Sequence, residues 1–216
     1  MPECSLSAIR GIIFDLDGTL YVSDPFAATI QDTAVGYIAS LKGVSDDEAR
    51  SLMTATRSWL SEVHDITPTL SAVCTELGGS IRDLHALFEA RLRPEAYLVR
   101  DERVTALLER LSRRFELALF TNNNRALTAR ITGYLGLDGF FRQVFAIDDQ
   151  WLAKPHEMIL DHVLNRLGLA PAEALFVGDR YDVDLRLPEQ RGCPVYLSQS
   201  IEQLLRLEEL LYRPSP

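Results

Sequence analysis

Ile9-Arg10-Gly11-Ile12-Ile13-Phe14-Asp15-Leu16-Asp17-Gly18-Thr19-Leu20 is an apolar run that ends abruptly in two carboxylates. An uninterrupted apolar run of this length suits a central strand buried on both faces. Three similar runs follow at 115–121, 144–147 and 174–177, with a weaker one at 194–197. Helical spacing separates them. Val104, Leu107, Leu108 and Leu111 recur after Asp101, a plausible N-cap; Leu127, Ile131 and Leu135 precede Gly136; Ile159, Leu160, Val163, Leu164 and Leu167 precede Gly168. Strands alternating with helices predict a parallel sheet with right-handed crossovers. The expected fold class is α/β, a three-layer Rossmann-like core.

The alternation fails between about residues 22 and 92. Phe26, Ile30, Ala34, Ile38 and Leu41 make a helical stripe that stops at Lys42-Gly43. Ser45 and Glu48 form a capping box for a second helix reaching about Val63. Pro68 is expected to open a third helix, stopped by Gly78-Gly79, and Ser80 to cap a fourth reaching about Arg91. The sequence therefore predicts a smaller all-helical cap at 22–95, inserted after strand one into a core made of 1–21 and 96–216.

The 216 residues carry 22 Lys+Arg against 31 Asp+Glu, a net charge of −9, with 47% hydrophobic and 25% charged residues. That balance is globular, and an acidic chain with no basic block is not expected to bind nucleic acid. No apolar run is long enough for a membrane span, and the start Met-Pro-Glu-Cys-Ser lacks the basic and apolar regions of a signal peptide. Cys4, Cys74 and Cys193 are odd in number and far apart, which fits free thiols in the cytoplasm. The basic residues include only two lysines, Lys42 and Lys154.

Asp15 and Asp17 fall at the C-terminal end of a buried strand, where open α/β sheets place their ligands. One carboxylate can act as nucleophile and its neighbour as acid and base. Two acids so close repel unless a cation intervenes, so a hard ion such as Mg²⁺ is expected. Three further strings stand at later strand ends or helix starts. Phe120-Thr121-Asn122 closes the second apolar run, and Lys154-Pro155 precedes the 159–167 helix. Val177-Gly178-Asp179-Arg180-Tyr181-Asp182-Val183-Asp184 follows the fourth run. In a chain with so little lysine, Lys154 offers a compact point charge for a phosphate and a carboxylate. Asp179, next to Gly178, is the better metal ligand of its string; Asp184 would support it, and Asp182 would face solvent.

In order, spacing and placement these four strings resemble those of the haloacid dehalogenase-like hydrolases, across nearly the whole chain. The resemblance implies a phosphatase in which Asp15 attacks phosphorus to form an aspartyl-phosphate. Asp17 would protonate the leaving oxygen and then activate water. Thr121, Asn122 and Lys154 would bind the phosphoryl oxygens, with Thr121 and Lys154 counted as catalytic. Mg²⁺ would be held by Asp15, the backbone carbonyl of Asp17 and Asp179, with Asp184 beside them. The acid at position 17 argues against a metal-free dehalogenase. A phosphomutase, a phosphonatase using Lys42, or a non-catalytic protein retaining the fold are the alternatives. The implied substrate is a small phosphorylated metabolite such as a sugar phosphate, phosphoglycolate or a nucleoside monophosphate, handled by a monomer or homodimer. Arg57, His64, Arg82, His85, Arg91 and Arg93 are the cap candidates for a second anionic group. Hinges are expected near 20–24 and 93–100. The histidines offer no zinc spacing.

Overall fold

The computed structural model describes residues 8–212. Five strands, β1 (Gly11–Phe14), β2 (Glu116–Phe120), β3 (Gln143–Phe145), β4 (Ala174–Gly178) and β5 (Val195–Leu197), form one sheet in the order β3-β2-β1-β4-β5. Every neighbouring pair is parallel, and β1 lies at the centre. Side chains alternate between two apolar layers, as the two-residue period of a strand requires. Ile12, Phe14, Leu117, Leu119, Leu175 and Val177 point to one layer. Ile13, Ala118, Phe120, Ala174 and Phe176 point to the other. This is the expected α/β Rossmann-like core, and it explains why the central strands read as continuous apolar runs.

Ten α-helices follow in chain order among the described residues. α1 (Asp24–Lys42), α2 (Asp46–His64), α3 (Leu70–Glu76) and α4 (Ile81–Arg91) come between β1 and the rest of the sheet. α5 (Glu102–Ser112) and α6 (Arg125–Leu135) cover the first apolar layer, and α7 (Glu157–Leu167) covers the second. α8 (Arg186–Gln190), α9 (Ile201–Leu205) and α10 (Leu207–Leu211) are single short turns.

The inserted helices start where hydroxyls can cap them. Ser23, Ser45, Thr69 and Ser80 each accept a hydrogen bond from a first-turn N–H, and Ser45 with Glu48 closes the capping box. Three sequence expectations need correction. Thr69, not Pro68, begins α3, because a hydroxyl satisfies a backbone donor that the proline ring cannot reach. His156, which its place just after Lys154-Pro155 puts in the first turn of the predicted 159–167 helix, instead caps α7: its Nδ1 accepts from Met158 N–H at 3.2 Å. Leu41 is exposed, since the stripe ends one turn earlier at Ile38. Cys4 lies outside the described residues, whereas Cys74 and Cys193 are buried in different layers.

Candidate active site

β1, β2 and β4 all end at the same edge of the sheet, so the residues just past them meet. Asp15 N–H donates to the Val177 carbonyl at 2.8 Å, extending the ladder one residue beyond β1 and aiming the Asp15 side chain out of the strand end. The chain then turns through Gly18, at φ +84°, and Gly18 N–H donates to the Tyr21 carbonyl at 2.9 Å. A Cβ on Gly18 would stand 2.4 Å from Asp179 Oδ2. Gly178 is as tight, with a Cβ there 2.4 Å from the Cβ of Asp184. Both positions need glycine so that the acidic loops after β1 and β4 can approach.

Lys154 occupies the middle of this arrangement. Its Nζ donates to Asp15 Oδ1 at 2.7 Å, to Asp184 Oδ1 at 2.7 Å and to the Phe120 carbonyl at 2.8 Å. All of its ammonium protons are thus accepted while the residue is buried. Burial works to lower its pKa, but pairing with Asp15 and Asp184 outweighs that and holds it above the ordinary value. Asn122 fixes the segment, accepting Lys154 N–H at 2.7 Å through Oδ1. Asp15 is pushed up to about 7, chiefly by burial, with Lys154 opposing and Asp184, Asp17 and Asp179 adding to the rise. Asp179 is raised to about 6 by burial and by Asp184.

Carboxylate oxygens of Asp15, Asp179 and Asp184 lie within 4.8 Å of one another. Asp179 Oδ1 is buried without a hydrogen-bond donor, its nearest cation being Arg180 Nε at 3.9 Å. An all-oxygen donor set with one oxygen left unpartnered fits a hard divalent ion. The side chain of Asp17 is held elsewhere. It accepts from Asn123 Nδ2 at 2.7 Å and from the Tyr21 hydroxyl. Burial raises its pKa, with Tyr21 and Asn123 pulling the other way. Thr121 is buried at the end of β2, its Oγ1 accepting from Asn123 N–H at 3.1 Å.

Asp182 lies at the surface, half-buried, and is tied to its neighbours. It accepts from the N–H and hydroxyl of Thr67, both at 3.3 Å, and pairs with Arg186 at 3.7 Å. Arg186 also donates to the Asp65 carbonyl at 2.7 Å, so the loop after α2 is tied to the loop after β4. Such a long-range contact leaves no trace in a local acidic string.

A cavity of about 460 Å³ opens above the strand ends, between them and the inserted helices. Of the six cap candidates for a second anionic group, His85 alone lines it. Residues missed at the sequence level are Tyr21 and Asn123, which hold Asp17, and Arg180, which faces the cavity. The Gly18 turn and the Asn122-Asn123 pair carry a local hint of the first two. Arg180 carries none.

Residues 9–189 match the family profile described as "Hydrolase: haloacid dehalogenase-like hydrolase". The phosphoglycolate phosphatase of Pectobacterium atrosepticum is 29% identical over 197 residues, spanning 87% of this chain and 79% of that protein. That of Yersinia pestis is 27% identical over 194 residues with the same shares. The crystal structure of a phosphatase of this family from Thermococcus onnurineus superposes with a TM-score of 0.66 at 21% identity, covering 94% of this chain and 98% of that one. No helix among the described residues is long and apolar enough to cross a membrane.

Proposed function

The chain belongs to the haloacid dehalogenase-like hydrolases, and on that footing we propose that it is a Mg²⁺-dependent phosphatase of small phosphate monoesters. The reaction runs through an aspartyl-phosphate on Asp15. The observation that carries this reading is the buried Asp15–Lys154–Asp184 cluster beside the unpartnered Asp179 Oδ1, at the foot of a cavity with room for a small ester. Its likeness to the phosphoglycolate phosphatases supports the substrate class.

In this reading Asp15, Asp179, Asp184 and the backbone carbonyl of Asp17 would hold Mg²⁺, which would supply positive charge against the phosphoryl oxygens. Lys154 adds a second cation, favours the ionised form of Asp15 against the effect of burial, and fixes its direction, as in-line attack requires. Thr121 and Asn122 contribute donors to the same oxygens. Asp17, whose carboxyl burial shifts toward the protonated form, is the group placed to give a proton to the leaving oxygen. As a carboxylate it then takes a proton from the water that clears phospho-Asp15. Tyr21 and Asn123 orient it for both steps. Residues 22–95 act as a lid over the core of 1–21 and 96–216, with linkers near 20–24 and 93–100 as hinges.

Trapping the intermediate tests this reading. Asp17→Asn should slow hydrolysis of alkyl phosphates about 10²–10⁴-fold. With a nitrophenyl ester, whose leaving group needs little protonation, phosphoenzyme should form and persist as acid-stable, hydroxylamine-labile protein-bound phosphate. Asp15→Asn should give none. Equal rates for wild type and Asp17→Asn on both ester classes, or full activity in excess chelator, would refute the assignment.

A further inference from the structure

The cavity has a charged floor and an uncharged ceiling. Its floor carries Asp17, Asp179 and Arg180. The inserted helices contribute the apolar Phe26, Ile30 and Phe88 and the neutral polar Gln31 and Ser71. Their sole charged contribution among the described residues is an acid, Asp24, at the start of α1. None of the cap arginines lines the cavity, and three of them have other partners. Arg57 donates to Gln31 Oε1 at 3.4 Å without lining the cavity, and Arg82 stacks 4.7 Å over the Trp151 ring. Arg93 donates to the Leu92 carbonyl. Beneath the floor, buried Lys154 is committed to Asp15 and Asp184, and on the floor Arg180 stands beside Asp179.

His85 is the one cap candidate that reaches the cavity. It is 2% exposed, its Nε2 lies 3.3 Å from Ser71 Oγ, and its Nδ1 is buried with no hydrogen-bond partner. Burial pushes its pKa down to about 4, against a weaker pull from Asp148, so the ring is neutral at pH 7. A neutral imidazole offers a hydrogen bond and no charge.

We infer that the enzyme's substrate releases an uncharged alcohol, one that presents a hydroxyl and an apolar side to this ceiling, and not a hydroxy acid such as glycolate. This deepens the phosphatase reading and rests on it. The P–O bond of the ester breaks, water supplies the new oxygen on phosphorus, and the alcohol oxygen leaves with the proton from Asp17. A carboxylate on that alcohol would be drawn from water against a neutral wall and Asp24, while the cation lining the cavity, Arg180, stands on the floor beside Asp179. A hydroxyl there finds Ser71, Gln31 or the His85 ring, and carbon packs on Phe26, Ile30 and Phe88. The relatives from Yersinia pestis and Pectobacterium atrosepticum, 27% and 29% identical, are phosphoglycolate phosphatases, so the inference separates this chain from them.

A matched series tests it: 2-hydroxyethyl phosphate, 2-phosphoglycolate and 2-aminoethyl phosphate, with nitrophenyl phosphate as reference, all with Mg²⁺ and wild-type enzyme. The hydroxyethyl ester should exceed phosphoglycolate in kcat/KM by about tenfold or more, on the scale of unpaired like-charge contacts. Ala27→Arg, which adds a cation on the cavity wall from α1, should shift that ratio toward phosphoglycolate by about the same factor. Arg57→Gln should leave the ratio unchanged. Equal or better turnover of phosphoglycolate by wild type overturns the inference while leaving the phosphatase intact. So does a comparable preference for the aminoethyl ester, or loss of phosphoglycolate turnover in Arg57→Gln. No turnover of any ester, nitrophenyl phosphate included, overturns the phosphatase reading and this inference together.

Discussion

Replacing Lys154 by Met keeps the length of the side chain and removes its charge, so the variant isolates what the ammonium does for the two carboxylates around it. In the native protein Asp15 Oδ1 and Asp184 Oδ1 each lie 2.7 Å from Nζ, and all three side chains are nearly inaccessible to water. Removing one partner of a buried ion pair costs about 3–5 kcal/mol. An independent bound gives the same scale. A carboxyl that escapes the penalty by taking up a proton at pH 7 does so about three units above its ordinary pKa, which is about 4 kcal/mol. For a chain of this size each kcal/mol moves Tm by about 2–4 °C, so metal-free Lys154→Met should melt about 6–20 °C below wild type at pH 7. The loss has a definite pH dependence. A carboxyl whose folded pKa is raised is stabilising to the fold below its unfolded pKa, near 3.9, and progressively less so as pH rises through the folded value. The deficit should therefore shrink as pH falls from 7 toward 4. Mg²⁺ should recover part of it, because the same acids bind the ion, and Asp184→Asn in the same chain should recover part by removing one uncompensated charge. Differential scanning calorimetry in chelator measures all of this. A Tm within 2 °C of wild type at pH 7, with no change across pH 4–7, would refute the claim that Lys154 compensates buried ionised carboxylates.

In wild type stripped of metal, Asp15 at about 7 and Asp179 at about 6 are both raised, so their contribution to stability should be full below pH 4 and be lost toward pH 7. Saturating Mg²⁺ should remove that decline, as thermal melts with and without chelator would reveal. His85 has the opposite sign: with its pKa lowered to about 4, its contribution is present above 6.5 and is lost as pH falls to 4. His85→Asn should flatten the acid side of the stability profile over that window; an unchanged difference from wild type between pH 6.5 and 4 would show the ring already charged in the fold. Gly18→Ala should weaken Mg²⁺ binding and turnover by more than tenfold, because its methyl would collide with Asp179 Oδ2 in a left-handed backbone. Isothermal titration with Mg²⁺ reads the first effect, and native-like affinity would exclude the close approach of the two loops.

The sheet and the floor of the candidate site were legible in the chain because both are local. A strand buried on two faces has to be apolar at every position, and the charge that follows it has to emerge at its end; hence 9–15, 115–121 and 174–177 mark both the strands and where Asp15, Thr121 and Asp179 stand. Capping hydroxyls similarly announce the helices that begin at Ser45 and Ser80. Side-chain direction across an interface is a different matter. Arg57, Arg82 and His85 all lie on helices with comparable surroundings in sequence, yet the angle at which α1–α4 pack onto the strand ends turns only His85 into the cavity. The same packing strips that ring of its charge by burial. It also brings Thr67 to Asp182 and Asn123 to Asp17, pairs separated by more than a hundred residues. Chemistry at a strand end is written in consecutive residues, whereas the chemistry of the wall opposite depends on how one group of helices is oriented over another, and only the tertiary structure decides that.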